Sequence, residues 1–286
     1  TINCQIKGKF RLEGLRTTNP ISVGDQVQFK MEEDDTGVIH TIEERKNYII
    51  RKSVNLSKQA HIVASNVDRA YLVVTLMEPP TSMGFIDRFL ITAEAYSIPV
   101  TILFNKIDVY DEKAIAKRDH YQQIYESIGY ETLTISATRG DGIEALRDSM
   151  QSQINLMSGH SGVGKSTLIN RLLPEVEIKT SEVSEYHKKG KHTTTFAEMH
   201  AMPNGGWLVD TPGIKGFGII DIPKDEIHHH FKEFFALLPE CKFHNCLHLN
   251  EPGCAVKAAV NEGLISVERY ESYLMMYHED ENETYR

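Results

Sequence analysis

From residue 70 onward, short apolar runs alternate with longer segments that are apolar on one side only. Residues 70–76 form a continuous apolar run, which is typical of a buried parallel strand. Residues 84–97 follow it with Phe85, Phe89 and Ala93 at helical spacing. The alternation predicts further strands at 99–104, 131–136, 154–158 and 206–209, and helices at 111–128, 142–151 and from 165 onward. Strands that alternate with helices in this way predict a doubly wound α/β domain.

Residues 1–66 show a different pattern, in which short runs are broken by Gly, Pro and Asn. Period-2 alternation predicts strands at 25–30 and 37–42, and residues 3–10 and 47–51 are further candidates. Strands this closely spaced predict a small β-barrel, of which the OB-fold is one form. Another kind of small β-domain is the alternative.

After residue 222 the pattern becomes helical again, with an apolar face formed by Ile227, Phe231, Phe234 and Leu238. A polar stretch at 175–192 predicts a long loop. We therefore divide the chain into three predicted domains. They are an OB-type barrel over 1–66 that is incomplete at its start, an α/β domain over 67–222 and a mainly helical domain over 223–286.

The composition is that of a globular protein, with 286 residues of which 41% are hydrophobic and 25% charged. No apolar run reaches about 18 residues, so we expect no membrane span, and the start of the chain does not resemble a secretory signal. The net charge of −9 argues against general nucleic-acid binding. However, residues 1–66 carry a net charge of +2, which leaves room for a local basic face.

Residues 159–166 carry the phosphate-loop pattern G-x-x-x-x-G-K-[ST] between a predicted strand and a predicted helix. Its glycines let backbone N–H groups converge on phosphate oxygens, and the helix N-terminus adds its dipole. Lys165 would place its charge at the β- and γ-phosphates, and the hydroxyl of Ser166 would bind Mg²⁺. The loop alone does not distinguish ATP from GTP. The predicted nucleotide contacts in this segment are Gly159, His160, Ser161, Gly162, Val163, Gly164, Lys165, Ser166 and Thr167.

An N-K-x-D motif follows the predicted strand 99–104 directly, and consists of Asn105, Lys106, Ile107 and Asp108. It lies at the carboxyl end of a strand, where open α/β sheets bind ligands. Asp108 can accept hydrogen bonds from N1–H and the exocyclic amine of guanine, a pair that adenine does not offer. Asn105 can bridge the base and the phosphate loop, while the stem of Lys106 covers the purine. The backbone N–H groups that could meet guanine O6 belong to Ser136, Ala137 and Thr138.

A D-x-x-G motif begins at Asp210, which would hold Mg²⁺ through water, while the N–H of Gly213 would meet the γ-phosphate. One hydroxyl in the run Thr193, Thr194 and Thr195 should bind Mg²⁺, and the sequence leaves open which one. Ras-like GTPases carry a glutamine that orients the attacking water, where this chain has Ile214. Isoleucine cannot do this, so we expect slow hydrolysis unless another group or a partner orders the water. His192 is the candidate catalytic residue.

A metal site is predicted by Cys241, Cys246, His248 and Cys254. Three of the four cysteines in the chain lie within fourteen residues, which favours a metal site in a reducing cytoplasm over a disulfide framework. Three thiolates and an imidazole suit a closed, structural Zn²⁺ site. The alternative is a group of buried thiols without a metal. The other histidines nearby, His244 and the run 228–230, are expected to be solvated.

The order of these motifs is unusual, because N-K-x-D at 105–108 precedes the phosphate loop at 159. In ordinary GTPases the phosphate loop comes first. A sheet can keep its spatial strand order when its ends are rejoined, since termini lie at the surface. We therefore interpret the α/β domain as a circularly permuted P-loop GTPase domain, with GTP/GDP and Mg²⁺ as its ligands.

This order, together with the sequences Gly159-His-Ser-Gly-Val-Gly-Lys-Ser-Thr, Gly190-Lys-His-Thr-Thr-Thr and Asp210-Thr-Pro-Gly, closely resembles the ribosome small-subunit-dependent GTPase A family (RsgA, also called YjeQ). The resemblance spans essentially the whole chain. It implies an OB-fold, a permuted GTPase domain and a zinc domain. It also implies binding to small-subunit rRNA, GTP hydrolysis stimulated by the small ribosomal subunit, and a role late in the maturation of that subunit.

The leading hypothesis is therefore a cytoplasmic, monomeric GTPase that binds the immature small ribosomal subunit and leaves it after hydrolysis. A permuted GTPase acting on another RNA–protein particle is one alternative, and a nucleotide-gated RNA-binding module with negligible turnover is another. Basic side chains that could meet RNA are Lys7, Lys9, Arg11, Arg16, Arg45, Lys46, Arg51, Lys52 and Lys58, with a second group of Lys179, Lys188, Lys189 and Lys191.

Overall fold

The structure is a computed structural model of the chain, and it describes residues 1–6, 21–32, 35–52, 60–175, 197–210 and 222–279. The N-terminal strands are β1 Cys4–Ile6, β2 Val27–Met31, β3 Gly37–Ile42, β4 Tyr48–Lys52 and β5 Ala60–Ser65. Strand β3 pairs with β1 in parallel and with β2 in antiparallel orientation, while β4 and β5 form a separate antiparallel pair. One isolated parallel bridge joins Val23, in the segment before β2, to Ala64 of β5. The predicted β-rich N-terminal region is confirmed, and β5 is an addition.

Within the described residues, the central sheet has six strands: β6 Arg69–Val74, β7 Val100–Phe104, β8 Glu131–Thr134, β9 Ile154–Ser158, β10 Glu198–Ala201 and β11 Trp207–Asp210. Their order across the sheet is β10-β11-β9-β6-β7-β8, and only β10 runs antiparallel to its neighbour. Strands β6 and β7 are buried almost throughout, which explains their continuous apolar sequences. The predicted α/β domain is confirmed.

Four helices cover the two faces of this sheet: α1 Met83–Ala95, α2 Glu112–Ser127, α3 Ile143–Ser149 and α4 Lys165–Leu172. Alternate residues of β6 enter two separate cores. Leu72 and Val74 pack on the side of α1 and α2, whereas Tyr71 and Val73 pack on the side of α3 and α4. Helix α2 begins at a side-chain cap, since the Asp111 carboxylate accepts the Ala114 N–H at 2.8 Å.

The C-terminal region is helical, as predicted. It contains 3₁₀ turns at Ile227–His230 and Leu238–Glu240, and the helices α5 Lys232–Leu237, α6 Ala255–Asn261 and α7 Val267–His278. Of the predicted apolar face, Ile227, Phe231 and Phe234 are buried, while Leu238 is half-buried. Phe231 and Phe234 stack and meet the ring of Tyr273 from α7. This small aromatic core holds the region together and packs it against α1.

Two aspects of the predicted organisation stay open to further test. Residues 7–20 and 53–59 lie outside the described part of the chain, so closure of the N-terminal strands into an OB-type barrel stays a prediction. We keep the domain boundaries after residues 66 and 222 as a proposal. Among the helices that the structure describes, none combines the length and the apolar character needed to cross a bilayer.

Candidate nucleotide site and metal centre

The phosphate loop connects β9 to α4 at the carboxyl edge of the sheet, as the sequence pattern predicts. Its glycines are needed for two different reasons. Gly159 has a φ of +147°, and a Cβ there would lie 2.4 Å from the Val73 carbonyl oxygen. Gly164 has a φ of +93°, and its Cβ would lie 2.5 Å from Nδ2 of Asn105. The loop can therefore approach both β6 and the N-K-x-D motif (called the base motif below) only because glycine has no side chain at these positions.

Lys165 stands in the first turn of α4 and folds back over the loop. Its Nζ donates to the carbonyl oxygens of Gly159 and His160, the latter at 3.3 Å. Burial lowers the pKa of Lys165, and the nearby carboxylate of Asp210 partly opposes this shift. The lysine thus provides a partly desolvated cation beside the backbone N–H groups of a helix N-terminus, an arrangement that favours binding of phosphate.

The base motif is joined to the phosphate loop by Asn105, which is only 1% exposed. Its Nδ2 donates to the carbonyl oxygen of Val163 at 2.8 Å, and its Oδ1 accepts the N–H of Ala137 at 3.0 Å. One side chain therefore connects three segments that are distant in sequence. The prediction that N-K-x-D and the phosphate loop belong to the same pocket agrees with this geometry.

Asp108 lies three residues after Asn105, in a short 3₁₀ turn, Ile107–Val109. Its Oδ1 accepts a 2.6 Å hydrogen bond from the buried hydroxyl of Ser136, whose oxygen in turn accepts the N–H of Arg139 at 3.0 Å. These bonds fix one carboxylate oxygen in place. The preceding Lys106 has a left-handed backbone, with a φ of +65°.

A loop at residues 75–82, between β6 and α1, contacts both halves of the pocket, and the sequence analysis missed it. The hydroxyl of Thr81 shares a 2.7 Å hydrogen bond with Nε2 of His160 in the phosphate loop. The carbonyl oxygen of Glu78 accepts a 2.6 Å bond from Nζ of Lys106 in the base motif. Burial lowers the pKa of His160, and the charges of Lys165 and Lys106 act in the same direction. The imidazole is thus neutral near pH 7 and serves as a contact between loops.

A second residue that the sequence analysis missed is Arg171 in the last turn of α4. Its guanidinium donates to two successive carbonyl oxygens of the loop that the sequence predicts to contact the base, those of Ala137 at 2.7 Å and Thr138 at 2.5 Å. An arginine in a helix carries no recognisable sequence signal for such a contact. The role becomes visible only once the helix and the loop are placed side by side.

The predicted magnesium ligands are described only in part. Ser166 is half-buried in the first turn of α4, and Asp210 ends β11, directly beside β9. Both therefore lie at the same edge of the sheet as the phosphate loop. The remaining predicted contacts to phosphate, magnesium and water, and Ile214, lie outside the described residues; these contacts are His192, Thr193, Thr194, Thr195 and Gly213.

The predicted metal ligands come together in the C-terminal region. One ligand atom from each of Cys241, Cys246, His248 and Cys254 lies within 4.8 Å of the other three. The distances from Nδ1 of His248 to the sulfurs of Cys254 and Cys241 are 3.3 and 3.7 Å. Burial raises the pKa of Cys246 to about 12 and lowers that of His248 to about 4. Three crowded thiols and a neutral imidazole fit a tetrahedral metal ion, because a divalent cation displaces the thiol protons and neutralises the thiolates.

Two sequence-based expectations about surface residues are wrong. His228 was expected to be solvated, but it is buried and its ring lies 5.1 Å from that of His248. Arg45 was a candidate for a basic face that meets RNA, but its side chain is only 8% exposed and is held in a bidentate ion pair with Asp25 at 2.6 and 2.7 Å. Burial raises the pKa of Asp25, but the hydrogen bonds from Arg45 and Ser65 outweigh it and leave the pKa low. Arg45 thus stabilises the fold around residues 22–25.

The family of the chain follows from comparison with known proteins. The model of the RsgA GTPase family matches residues 42–220, and the model of the RsgA N-terminal domain matches residues 1–39. The chain belongs to the RsgA GTPase family. It is therefore a GTP-hydrolysing P-loop GTPase, as the motifs predicted.

Curated relatives in the RsgA family match along the whole chain. A protein of Bacteroides fragilis named small ribosomal subunit biogenesis GTPase RsgA is 54% identical over 285 residues, covering 100% of this chain and 92% of that protein. A protein of the same name from Christiangramia forsetii is 52% identical, covering 99% of this chain and 90% of its own length. The match therefore includes the N-terminal strands and the cysteine-rich end.

Solved structures of RsgA relatives agree with the fold. YjeQ from Thermotoga maritima superposes with a TM-score of 0.78 at 37% sequence identity, covering 96% of this chain and 88% of the other. YloQ, described as a circularly permuted GTPase, gives a TM-score of 0.75 at 30% identity, covering 96% and 85%. The permuted order predicted from the motifs is confirmed, since β9 with its phosphate loop comes late in the chain yet lies in the middle of the sheet.

Proposed function

We propose that this RsgA-family chain acts in biogenesis of the small ribosomal subunit, binding the subunit with GTP and leaving it after hydrolysis. The observation that carries the proposal is the pocket joined by Asn105, which combines a phosphate loop with a guanine-reading motif. The names of the relatives supply the subunit. We place the protein in the cytoplasm as a monomer.

The proposed nucleotide contacts divide between the two halves of the pocket. Backbone N–H groups of residues 159–166 and the ammonium of Lys165 bind the phosphates. Asp108 accepts hydrogen bonds from N1–H and the exocyclic amine of guanine, and its fixed carboxylate is already oriented by Ser136. The stem of Lys106 covers one face of the base. Because adenine has no matching donors, it would leave the carboxylate of Asp108 without a partner.

Hydrolysis requires Mg²⁺ and an ordered water molecule. Ser166, Asp210 and one of the threonines at 193–195 would hold the ion, and the N–H of Gly213 would meet the γ-phosphate. Ile214 has no polar group with which to orient water, so we propose that His192 does so when the subunit is bound. This assignment rests on the sequence, and it explains why hydrolysis would be slow without a partner.

We propose that the Cys₃His cluster binds one structural Zn²⁺. The support is that the four ligand atoms lie within 4.8 Å of one another, and four protein ligands complete a tetrahedral site without the open position that a catalytic zinc needs. We further propose that exposed basic side chains, such as Lys46, contribute to rRNA binding. Lys46 is largely exposed although it contacts Asp68 at 2.8 Å.

The function is tested by measuring GTP hydrolysis with small ribosomal subunits, with large subunits and with neither. We expect small subunits alone to accelerate turnover, and Lys165→Ala to remove the acceleration. Equal rates with both subunits would contradict the assignment. Co-sedimentation with small subunits provides an independent measurement, with stronger binding expected for a non-hydrolysable GTP analogue than for GDP.

A further inference from the structure

Arg171 projects from the helix that follows the phosphate loop and reaches the loop proposed to contact the base. On the other side of α4, Leu168, Ile169 and Leu172 are buried in the core, which fixes the direction of the helix. From the exposed side, the guanidinium of Arg171 bonds the carbonyl oxygens of Ala137 and Thr138 at 2.7 and 2.5 Å. The planar fork of an arginine is suited to holding two acceptors at once.

These two bonds determine which backbone donor the loop presents. The N–H of Ala137 is used by Asn105 and the N–H of Arg139 by Ser136, each at 3.0 Å. Within the described part of the chain, the N–H of Thr138 makes no hydrogen bond. In a trans peptide the C=O and N–H point in opposite directions. With the Ala137 carbonyl held by Arg171, the Thr138 N–H points away from the guanidinium and is available to a ligand.

We propose that Arg171 is a positioning residue for guanine recognition: it holds the peptide between residues 137 and 138 so that the Thr138 N–H donates to O6 of the base. The inference deepens the proposed function and rests on it. It also explains how the position of the base is fixed relative to that of the phosphates. Helix α4 begins at the phosphate loop and carries Arg171 in its last turn, so one element of eight residues connects the two halves of the pocket.

The test compares Arg171→Ala with the unmodified protein by calorimetric titration of three nucleotides. GDP and IDP both carry O6, whereas 6-thio-GDP has a sulfur there that accepts hydrogen bonds poorly. Loss of one hydrogen bond is expected to weaken the binding of GDP and of IDP by the same factor, roughly fivefold to tenfold. The affinity for 6-thio-GDP is expected to change by less than about twofold, because that bond is already weak in the unmodified protein.

The control variants separate a role in recognition from a role in stability. Arg171→Lys keeps the charge but can reach only one carbonyl, so it should recover part of the GDP affinity. Arg147→Ala removes a surface arginine of α3 that pairs with Glu144, and should change none of the three affinities. If Arg171→Ala lost affinity equally for all three nucleotides, or lost none, the proposed role of Arg171 in contacting O6 would be wrong.

A different result would contradict the proposed function on which the role of Arg171 rests. An unmodified protein that binds ADP as tightly as GDP would contradict base recognition by residues 105–108 and 136–138, and the Arg171 inference with it. A clear GDP preference in the unmodified protein, without an O6-dependent loss in Arg171→Ala, would contradict only the inference.

Discussion

At the scale of single residues, Gly164 shows how tightly the two halves of the pocket are fitted. An alanine there would have a strained backbone at a φ of +93° and a Cβ 2.5 Å from Nδ2 of Asn105. Gly129 offers a matched comparison, since its φ of +82° gives the same strain while nothing lies within 4 Å of an added Cβ. The two glycines therefore separate backbone strain from displacement of Asn105.

We expect both Gly164→Ala and Gly129→Ala to lose about 1–2 kcal/mol of folding free energy, the cost of a left-handed alanine. Only Gly164→Ala should weaken GDP binding, by at least about tenfold, because two hydrogen bonds of Asn105 are disturbed. Chemical denaturation measures the first effect, and nucleotide titration the second. Unchanged GDP affinity in Gly164→Ala would show that Asn105 does not organise the pocket.

Asp108→Asn tests the choice of base at one carboxylate. An amide offers a donor where the carboxylate offers only acceptors, so xanthine should replace guanine as the preferred base. We expect GDP affinity to fall on the order of a hundredfold, since hydrogen bonds to a charged group are lost, and XDP affinity to rise. Competition titration measures both. Asp119→Asn, an exposed carboxylate that contacts Arg118, is the control and should leave both affinities unchanged.

Residue roles were predictable where a motif fixes the spacing of its members. The sequence predicts one pocket for Asn105, Asp108 and Lys165 because each stands at a set distance from the end of a strand, and the bond from Asn105 to the Val163 carbonyl agrees with that prediction. Arg171 and Thr81 were missed because their roles depend on which loops the fold brings together. His228 was misjudged for a related reason: three consecutive histidines suggest a solvated segment, but a 3₁₀ turn directs one of them into the metal region.

At the scale of secondary-structure elements, the pattern located most strands and helices of the central sheet within about two residues, as expected for strongly periodic segments. Strand β9 was predicted with its observed bounds, Ile154–Ser158. Strand β5, Ala60–Ser65, was missed. Its sequence Ala-His-Ile-Val-Ala-Ser lacks regular alternation, and it is recognised as a strand only through its pairing with β4. Pairing depends on two segments, so the sequence of one segment alone does not predict it.

The proposed metal ligands lie between the C-terminal helices, because Cys254 caps the start of α6 and α5 ends shortly before Cys241. We expect the purified protein to contain about one Zn²⁺ per chain, and Cys246→Ser to lose it together with much of the helical signal of this region. Metal analysis and circular dichroism measure the two effects. Cys4→Ser is the matched control, since Cys4 is exposed and belongs to another region. If Cys246→Ser kept its full zinc content, the proposed zinc site would be wrong.

At the scale of the whole molecule, a buried ion network joins the GTPase core to the C-terminal region. Arg269 of α7 is 1% exposed and contacts Asp87 of α1 at 2.6 Å and Glu233 of α5 at 2.7 Å. The hydroxyl of Tyr125 from α2 donates to the same oxygen of Asp87 at 2.7 Å. Helix α1 directly follows the loop 75–82, whose Thr81 contacts the phosphate loop. The C-terminal region is thus attached to the helix that follows a loop in contact with the phosphate loop.

Arg269→Met should uncouple these parts, because it leaves the carboxylates of Asp87 and Glu233 buried without their cation. Breaking a buried pair in this way costs about 3–5 kcal/mol, which lowers the melting temperature on the order of 10 °C. Calorimetry should show the C-terminal region unfolding first. GDP should stabilise both regions of the unmodified protein, but only the GTPase core of the variant. Arg118→Met, which breaks a pair with the exposed Asp119, should melt as a single unit with little change. If Arg269→Met also melts as one unit that GDP protects throughout, the network does not couple the two regions.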